Sequence, residues 1–387
     1  MQRQSPVNGL KQDSSGNMSD SRSILLTLIR SALWDVPMSD LPSDVDWKKV
    51  CRLAKQQTLV GLLADAVSKL PPEMKPDVQI QNQLRAYAVK NIQAHLLITQ
   101  RLSDVLNVLR SGGVEPVLFK GHGLALNYPD PMSRQCGDID LYVGKNSYSE
   151  AVAICMKQFG KDEHDSESPK HYHFENQGVS VELHRIAENI PGIFNNCRFQ
   201  KWTVENLESS ELRNVSIEGV EVTLPPYKFD AIYVMLRAWH HFEAGGVGLR
   251  QLCDWAMYLH RYHEQIDPVS IERDLKAFGL LKVWHLFAWV AVNRLGLSKE
   301  ECPLYEGKYA SAAEKMLEII WTDGNFGRYS EKRSKRPDGY SSGKIHSMIV
   351  TTRRYFRILP VYPFHILNSF ILYFLTGVYH YFKGIFR

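Results

Sequence analysis

With 387 residues, 44% in the hydrophobic set and 23% charged, the chain has the composition of an ordinary globular protein large enough for two or three domains and a sizeable core. That composition excludes a mini-protein, wholesale disorder and a polytopic membrane protein. A net charge of +4, with no long Lys/Arg run interleaved with aromatics, gives no support to a dedicated nucleic-acid binder. The cysteines Cys51, Cys136, Cys155, Cys197, Cys253 and Cys302 show no paired metal-ligand spacing and read as reduced thiols of a cytoplasmic protein.

Residues 1–22 are rich in Gln, Ser, Asn, Asp and Gly and lack the apolar stretch of a signal peptide, which predicts a flexible tail. Met18 lies just before the first apolar-periodic run, Ile24 to Leu33, and a start there would remove most of that tail. From 23 to 112 apolar residues recur at three- and four-residue intervals, predicting a helical region. Pro71-Pro72 divides it, and Val78 to Arg110 reads as one long helix closed by Ser111-Gly112-Gly113.

The pattern then shifts over 113–224. A strand at Pro116 to Phe119, a turn and short helix from Lys120, and a strand at Ile139 to Val143 form one unit. A helix at Tyr148 to Phe159 and strands at Tyr172 to Glu175 and Val179 to His184 follow, joined by an Asn176-Gln177-Gly178 turn. Alternation from Val215 to Val222 predicts a further hairpin. After Pro225-Pro226 the chain is helical again through 225–330, and 331–387 combine a basic loop with an aromatic amphipathic segment.

Asp138 and Asp140, two apart on a strand, project to one face roughly 6.5–7 Å apart, while Ile139 and Leu141 face the core. Such a pair suits Mg²⁺ or Mn²⁺, hard cations that take oxygen ligands and serve phosphoryl chemistry in pairs. An Asp-x-Asp pair alone is weak, as Asp44-Val45-Asp46 shows; that pair precedes a helix and reads as its N-terminus. In an apolar strand, by contrast, uncompensated carboxylates are costly. Glu182 and His184 share a face of the later strand. Glu182 reads either as the third acid, completing the metal site and accepting a proton, or as a solvent-facing residue. His184 orients Glu182, touches phosphate or caps the strand.

Together Lys120-Gly121, Arg134, Asp138 with Asp140, and Glu182 with His184 resemble the bacterial group often called uncharacterised nucleotidyltransferases, within the nucleotidyltransferase superfamily of the DNA polymerase beta type. The resemblance runs from about Ser23 to Tyr329 and includes Gly248-Leu249-Arg250-Gln251-Leu252-Cys253-Asp254-Trp255 and Gly324-Asn325-Phe326-Gly327. It departs from the wider pattern in following Gly121 with His122, in a longer segment before Asp138, and in using Glu182 where Asp is commoner. It implies an α+β fold: a small mixed β-sheet nucleotidyltransferase core flanked by helical regions. It also implies transfer of an NMP from a nucleoside triphosphate to a hydroxyl-bearing acceptor, with pyrophosphate leaving. Asp138, Asp140 and Glu182 would be the catalytic metal ligands; Lys120, Gly121, Gly123, Arg134 and His184 would contact the nucleotide phosphates, the alternatives being a snorkelling strand-end lysine at Lys120 and an ordinary tight turn at the glycines. The other reading is a catalytically silent nucleotide-binding or membrane-associated scaffold.

Arg250 and Asp254 are four apart and read first as an intrahelical ion pair, with a role in shaping the nucleotide or acceptor pocket as the alternative that the resemblance implies. His240-His241 and His171-Tyr172-His173 lack a fourth ligand at a zinc-like spacing. For 361–387 three readings stand: a helix packed on the domain, an interfacial helix whose neighbours Arg353, Arg354, Arg357, Lys383 and Arg387 meet anionic lipid, and a marginal transmembrane anchor.

Overall fold

The computed structural model describes residues 21–160, 170–208, 211–327 and 340–385. Four helices lead: α1 (Ser21–Trp34), α2 (Trp47–Gln56), α3 (Val60–Lys69) and α4 (Val78–Ser111). The Asp46 carboxylate accepts the Lys49 amide at 3.0 Å, so the Asp44-Val45-Asp46 stretch is a helix cap. Asp77 caps α4 in the same way through Ile80. At 34 residues α4 is the long helix expected, and it ends at Gly112.

The middle of the chain alternates strand and helix: β1 (Val117–Phe119), α5 (Gly121–Ala125), β2 (Asp138–Tyr142), α6 (Gly144–Phe159), β3 (His171–Asn176), β4 (Val179–His184), α7 (Ile193–Leu207), β5 (Arg213–Ile217) and β6 (Val220–Leu224). The strands form one mixed sheet in the order β3-β4-β2-β1-β6-β5. The β2–β4 and β1–β6 pairs are parallel and the others antiparallel. Gln177-Gly178 and Glu218-Gly219 all take positive φ, the geometry that two-residue hairpin turns require. Helix α7 was not foreseen; its buried stripe of Phe199, Trp202, Thr203 and Leu207 supplies the missing signal.

Alternation along β1, β2 and β4 divides the apolar side chains between two cores. Leu118, Ile139, Leu141, Val181 and Leu183 pack beneath α4 and α6. Phe119 and Tyr142 belong to the larger core on the opposite face, where Phe119 meets Tyr233 at a ring separation of 4.6 Å. That second face carries the even-numbered residues of β2 and β4, and so the acids.

Helices α8 (Tyr227–Ala244), α9 (Leu249–Tyr262), α10 (Pro268–Phe278), α11 (Leu281–Val290) and α12 (Ala310–Asp323) cover it. The helical regions before and after the sheet share this core, with Leu25 and Leu28 in the same cluster as Trp255 and Trp284. Trp34 donates to the Leu295 carbonyl at 2.7 Å and Gln57 to that of Ile320 at 3.1 Å. The Gly324–Gly327 loop abuts Gly245-Gly246 so closely that a Cβ on Gly327 would fall 2.2 Å from the Gly245 carbonyl oxygen, which explains the glycines there.

Helices α13 (Tyr340–Ile358) and α14 (Pro363–Ile385) complete the described chain. His365, Ile366 and Ser369 are buried, and Trp239 donates to His365 at 3.1 Å, so the start of α14 packs on the protein. Arg354 and Arg357 each bind Asp323 at 2.6 Å, turning these two guanidinium groups toward the protein. No described helix is long and apolar enough to cross a membrane. The N-terminal tail to residue 20 and the basic segment 332–337 lie outside the described residues.

Candidate active site

Parallel pairing of β2 with β4 sets Asp140 directly opposite Glu182 and Tyr142 opposite His184. Asp138 and Asp140 therefore share a face with the third acid. Asp138 is exposed at a cleft of about 280 Å³, whereas Asp140, 2% exposed, lies at its base. His184 Nε2 is 2.8 Å from Asp140 Oδ1 and 3.3 Å from Glu182 Oε2, tying the two acids together. Lys120 follows β1 and reaches Asp140 Oδ2 at 3.0 Å. Its φ of +49°, beside +43° at Gly121, places a non-glycine residue in left-handed backbone, the local strain that accumulates at functional sites.

The electrostatics separate the carboxyls. The neighbouring Asp140 raises the pKa of Asp138, because two adjacent carboxylates resist simultaneous ionisation. Burial opposes ionisation of Asp140, but Lys120 and the His184 hydrogen bond outweigh it and hold that carboxyl far below its usual range. The same histidine lowers Glu182. Burial disfavours the imidazolium of His184, yet its bonds to the two acids prevail and raise its pKa.

Opposite the acids stands a basic wall, of which sequence reasoning offered Arg250 as a pocket residue but not Arg237 or His241. Arg237 and His241 project from α8 and Arg250 from α9 into the same cleft. Glu188 anchors Arg237, and also binds Lys170 at 2.6 Å and His240 at 3.4 Å. The Nε atoms of Arg237 and Arg250 are buried without a hydrogen-bond partner. Burial, with Arg237 and Lys120 nearby, pushes the His241 imidazole down to about 3, so it is neutral near neutral pH. Helical spacing on α8 separates these residues from the strand motifs, and only the tertiary fold brings them across.

Arg134 lines the cleft with its guanidinium buried and paired to Asp254, Nε to Oδ1 at 2.7 Å and Nη2 to Oδ2 at 2.8 Å. Tyr128 adds a 2.6 Å bond to the same carboxylate. Arg250 makes the expected i,i+4 ion pair with Asp254, Nη1 to Oδ2 at 3.6 Å, and also donates to the Gln135 carbonyl at 3.0 Å. The fork of Arg134 thus braces α9 against the loop before β2. Gly121 lines the cleft, whereas Gly123, two residues on, packs against Leu224 outside it. Glu182 and His184 stand beside Asp140 on the neighbouring strand but do not themselves line the cleft.

Residues 43–296 match the model of a family described as uncharacterised nucleotidyltransferase. The chain belongs to this nucleotidyltransferase family. The matched span contains Lys120, Arg134, Asp138, Asp140, Glu182, His184, Arg237 and Asp254, and so the strands and helices that build the cleft. No curated protein matches the chain significantly. Among solved structures, the antigenic nucleotidyltransferase-like protein from Paracoccidioides brasiliensis is similar at 14% identity over 47% of this chain and 91% of that one, with a TM-score of 0.30, too slight a likeness to carry an argument.

Proposed function

We propose that this nucleotidyltransferase-family protein moves an NMP from a nucleoside triphosphate onto a hydroxyl acceptor, with Asp138, Asp140 and Glu182 holding Mg²⁺ or Mn²⁺. The observation that carries this reading is the placing of Asp138 and Asp140 in one cleft with a basic opposite wall, with Glu182 opposite Asp140 on the neighbouring parallel strand. An all-oxygen donor set fits a hard cation. Bound divalent ions would neutralise triphosphate charge and polarise the attacking oxygen.

The protein's own groups divide the rest of the work. The unpartnered Nε atoms of Arg237 and Arg250 offer donors to phosphate oxygens. Lys120, within reach of Asp140, adds a third cation on the phosphate side. Glu182, more exposed than Asp140, accepts the proton of the acceptor hydroxyl, and His184 holds its carboxylate in place. The acceptor oxygen bonds to the α-phosphorus as the bond from that phosphorus to the pyrophosphate oxygen breaks. The acceptor class is a small molecule, a sugar, a peptide or a protein side chain. Arg134 acts through Asp254 and the adjoining loop as a positioning residue.

Calorimetric titration of nucleoside triphosphates with and without Mg²⁺ tests the binding half of this proposal. Saturable binding should require the metal and be lost in the Asp138→Ala/Asp140→Ala variant; metal-independent binding that survives both substitutions would overturn it.

A further inference from the structure

Behind the carboxylate site a second cluster differs in chemistry. His95 comes from α4, His122 from α5 and Cys136 from the loop before β2, and one ligand atom from each lies within 4.8 Å of the others. Both histidines are buried, while Cys136 is half-buried and lines the cleft. His95 Nε2 is 2.6 Å from the Arg134 carbonyl oxygen, which can only accept, so this nitrogen carries the proton and Nδ1 keeps its lone pair. His122 Nε2 is likewise 3.2 Å from the His95 carbonyl oxygen and 3.0 Å from Thr99 Oγ1. Its Nδ1 is buried with no hydrogen-bond partner, in a residue 4% exposed.

Metal-bound histidines characteristically donate their second ring nitrogen to a carbonyl in this way, which fixes the tautomer that coordinates. Arg134 Nη1 lies 3.0 Å from Cys136 Sγ and can support a thiolate, while Asp254 balances the arginine's charge. We propose that His95, His122 and Cys136 hold a thiophilic divalent cation of the zinc type, in a site separate from the carboxylate centre. Two imidazoles and a thiolate make three ligands of the borderline-soft kind that zinc takes and Mg²⁺ does not. Binding releases the thiol proton to solvent and pins the Lys120-Gly121 turn and β2 to α4.

The test uses the full chain, metal-stripped and carrying Cys51→Ser and Cys197→Ser to remove the two other accessible thiols, titrated with Co²⁺ in excess Mg²⁺. One equivalent of Co²⁺ should give a thiolate-to-cobalt charge-transfer band, and Zn²⁺ should displace it. Cys136→Ser should abolish the band and weaken Zn²⁺ binding by more than about 100-fold, since outer-shell changes alone cost about 10–100-fold. Asp138→Ala/Asp140→Ala should keep it. Absence of the band in the parent protein, or its persistence in Cys136→Ser, would overturn the proposal; the first result needs no variant of the cluster to fold. Co²⁺ uptake without a sulfur band would place the ion on nitrogen and oxygen ligands, as at His171, Glu182 and His184, and count against it.

Discussion

Asp140 and Glu182 face one another across neighbouring parallel strands, and a single nitrogen of His184 reaches both. Their environments differ: Asp140 is enclosed and held by Lys120, whereas Glu182 retains access to solvent. The enclosed acid suits a metal ligand and the accessible one a proton acceptor. Glu182→Gln should therefore lower kcat by about 10²–10⁴-fold, the usual contribution of general acid–base catalysis. Single-turnover kinetics check this, and turnover within a few-fold of the parent protein would remove Glu182 from the reaction.

Lys120→Met should separate metal binding from turnover. Losing the ammonium that occupies Asp140 Oδ2 frees that oxygen, so Mn²⁺ binds more tightly in the absence of nucleotide. Losing a cation from the phosphate side lowers turnover, by about 10²–10³-fold if Lys120 acts as a transition-state donor. Mn²⁺ titration and transfer kinetics should move in opposite directions; a parallel fall in both would contradict this division.

The buried Arg134–Asp254 pair makes a stability prediction. Asp254→Asn or Arg134→Met should cost about 3–5 kcal/mol, because either leaves a buried charge uncompensated. Tyr128→Phe removes one hydrogen bond to the same carboxylate and should cost about 1 kcal/mol. Replacing both charges together, Arg134→Met with Asp254→Leu, should recover much of the loss in chemical denaturation.

Much of the site was legible because strand alternation is local: Asp138, Asp140, Glu182 and His184 each sit two residues from a same-face neighbour, among apolar residues that fix the inward face. The long α4 and both hairpins were legible for the same reason, from helical periodicity and from turns ending in glycine. The basic wall, Arg250 apart, was not. Arg237 and His241 look like ordinary members of a helix until α8 is folded over the sheet, and Asp254 takes its main partner from Arg134, far along the chain. The cluster of His95, His122 and Cys136 escaped for the same reason, since its members lie on three elements with no motif spacing. Gly123 lies against Leu224, and a phosphate-facing turn and a glycine packed in this way look alike in sequence.

His241 predicts acid sensitivity. Its folded pKa of about 3 lies below the ordinary 6.5, so between those values the unfolded chain binds more protons than the folded one. Its contribution is fully present above pH 6.5 and is lost as pH falls toward 3, at no more than about 1.4 kcal/mol per pH unit. Denaturation midpoints measured from pH 7 to pH 4 should fall less steeply in His241→Gln than in the parent protein; identical slopes would show that His241 is not buried as a neutral ring.

The position of the transferred phosphorus tests the central claim most directly. Parallel reactions with Mg²⁺ and host extract, one with triphosphates labelled at the α-phosphorus and one at the γ-phosphorus, distinguish nucleotidyl from phosphoryl transfer. The account predicts that α-label joins the acceptor as an added NMP, that γ-label leaves as pyrophosphate, and that Asp138→Ala/Asp140→Ala abolishes both. Incorporation of γ-label, or products unchanged in that variant, would contradict it.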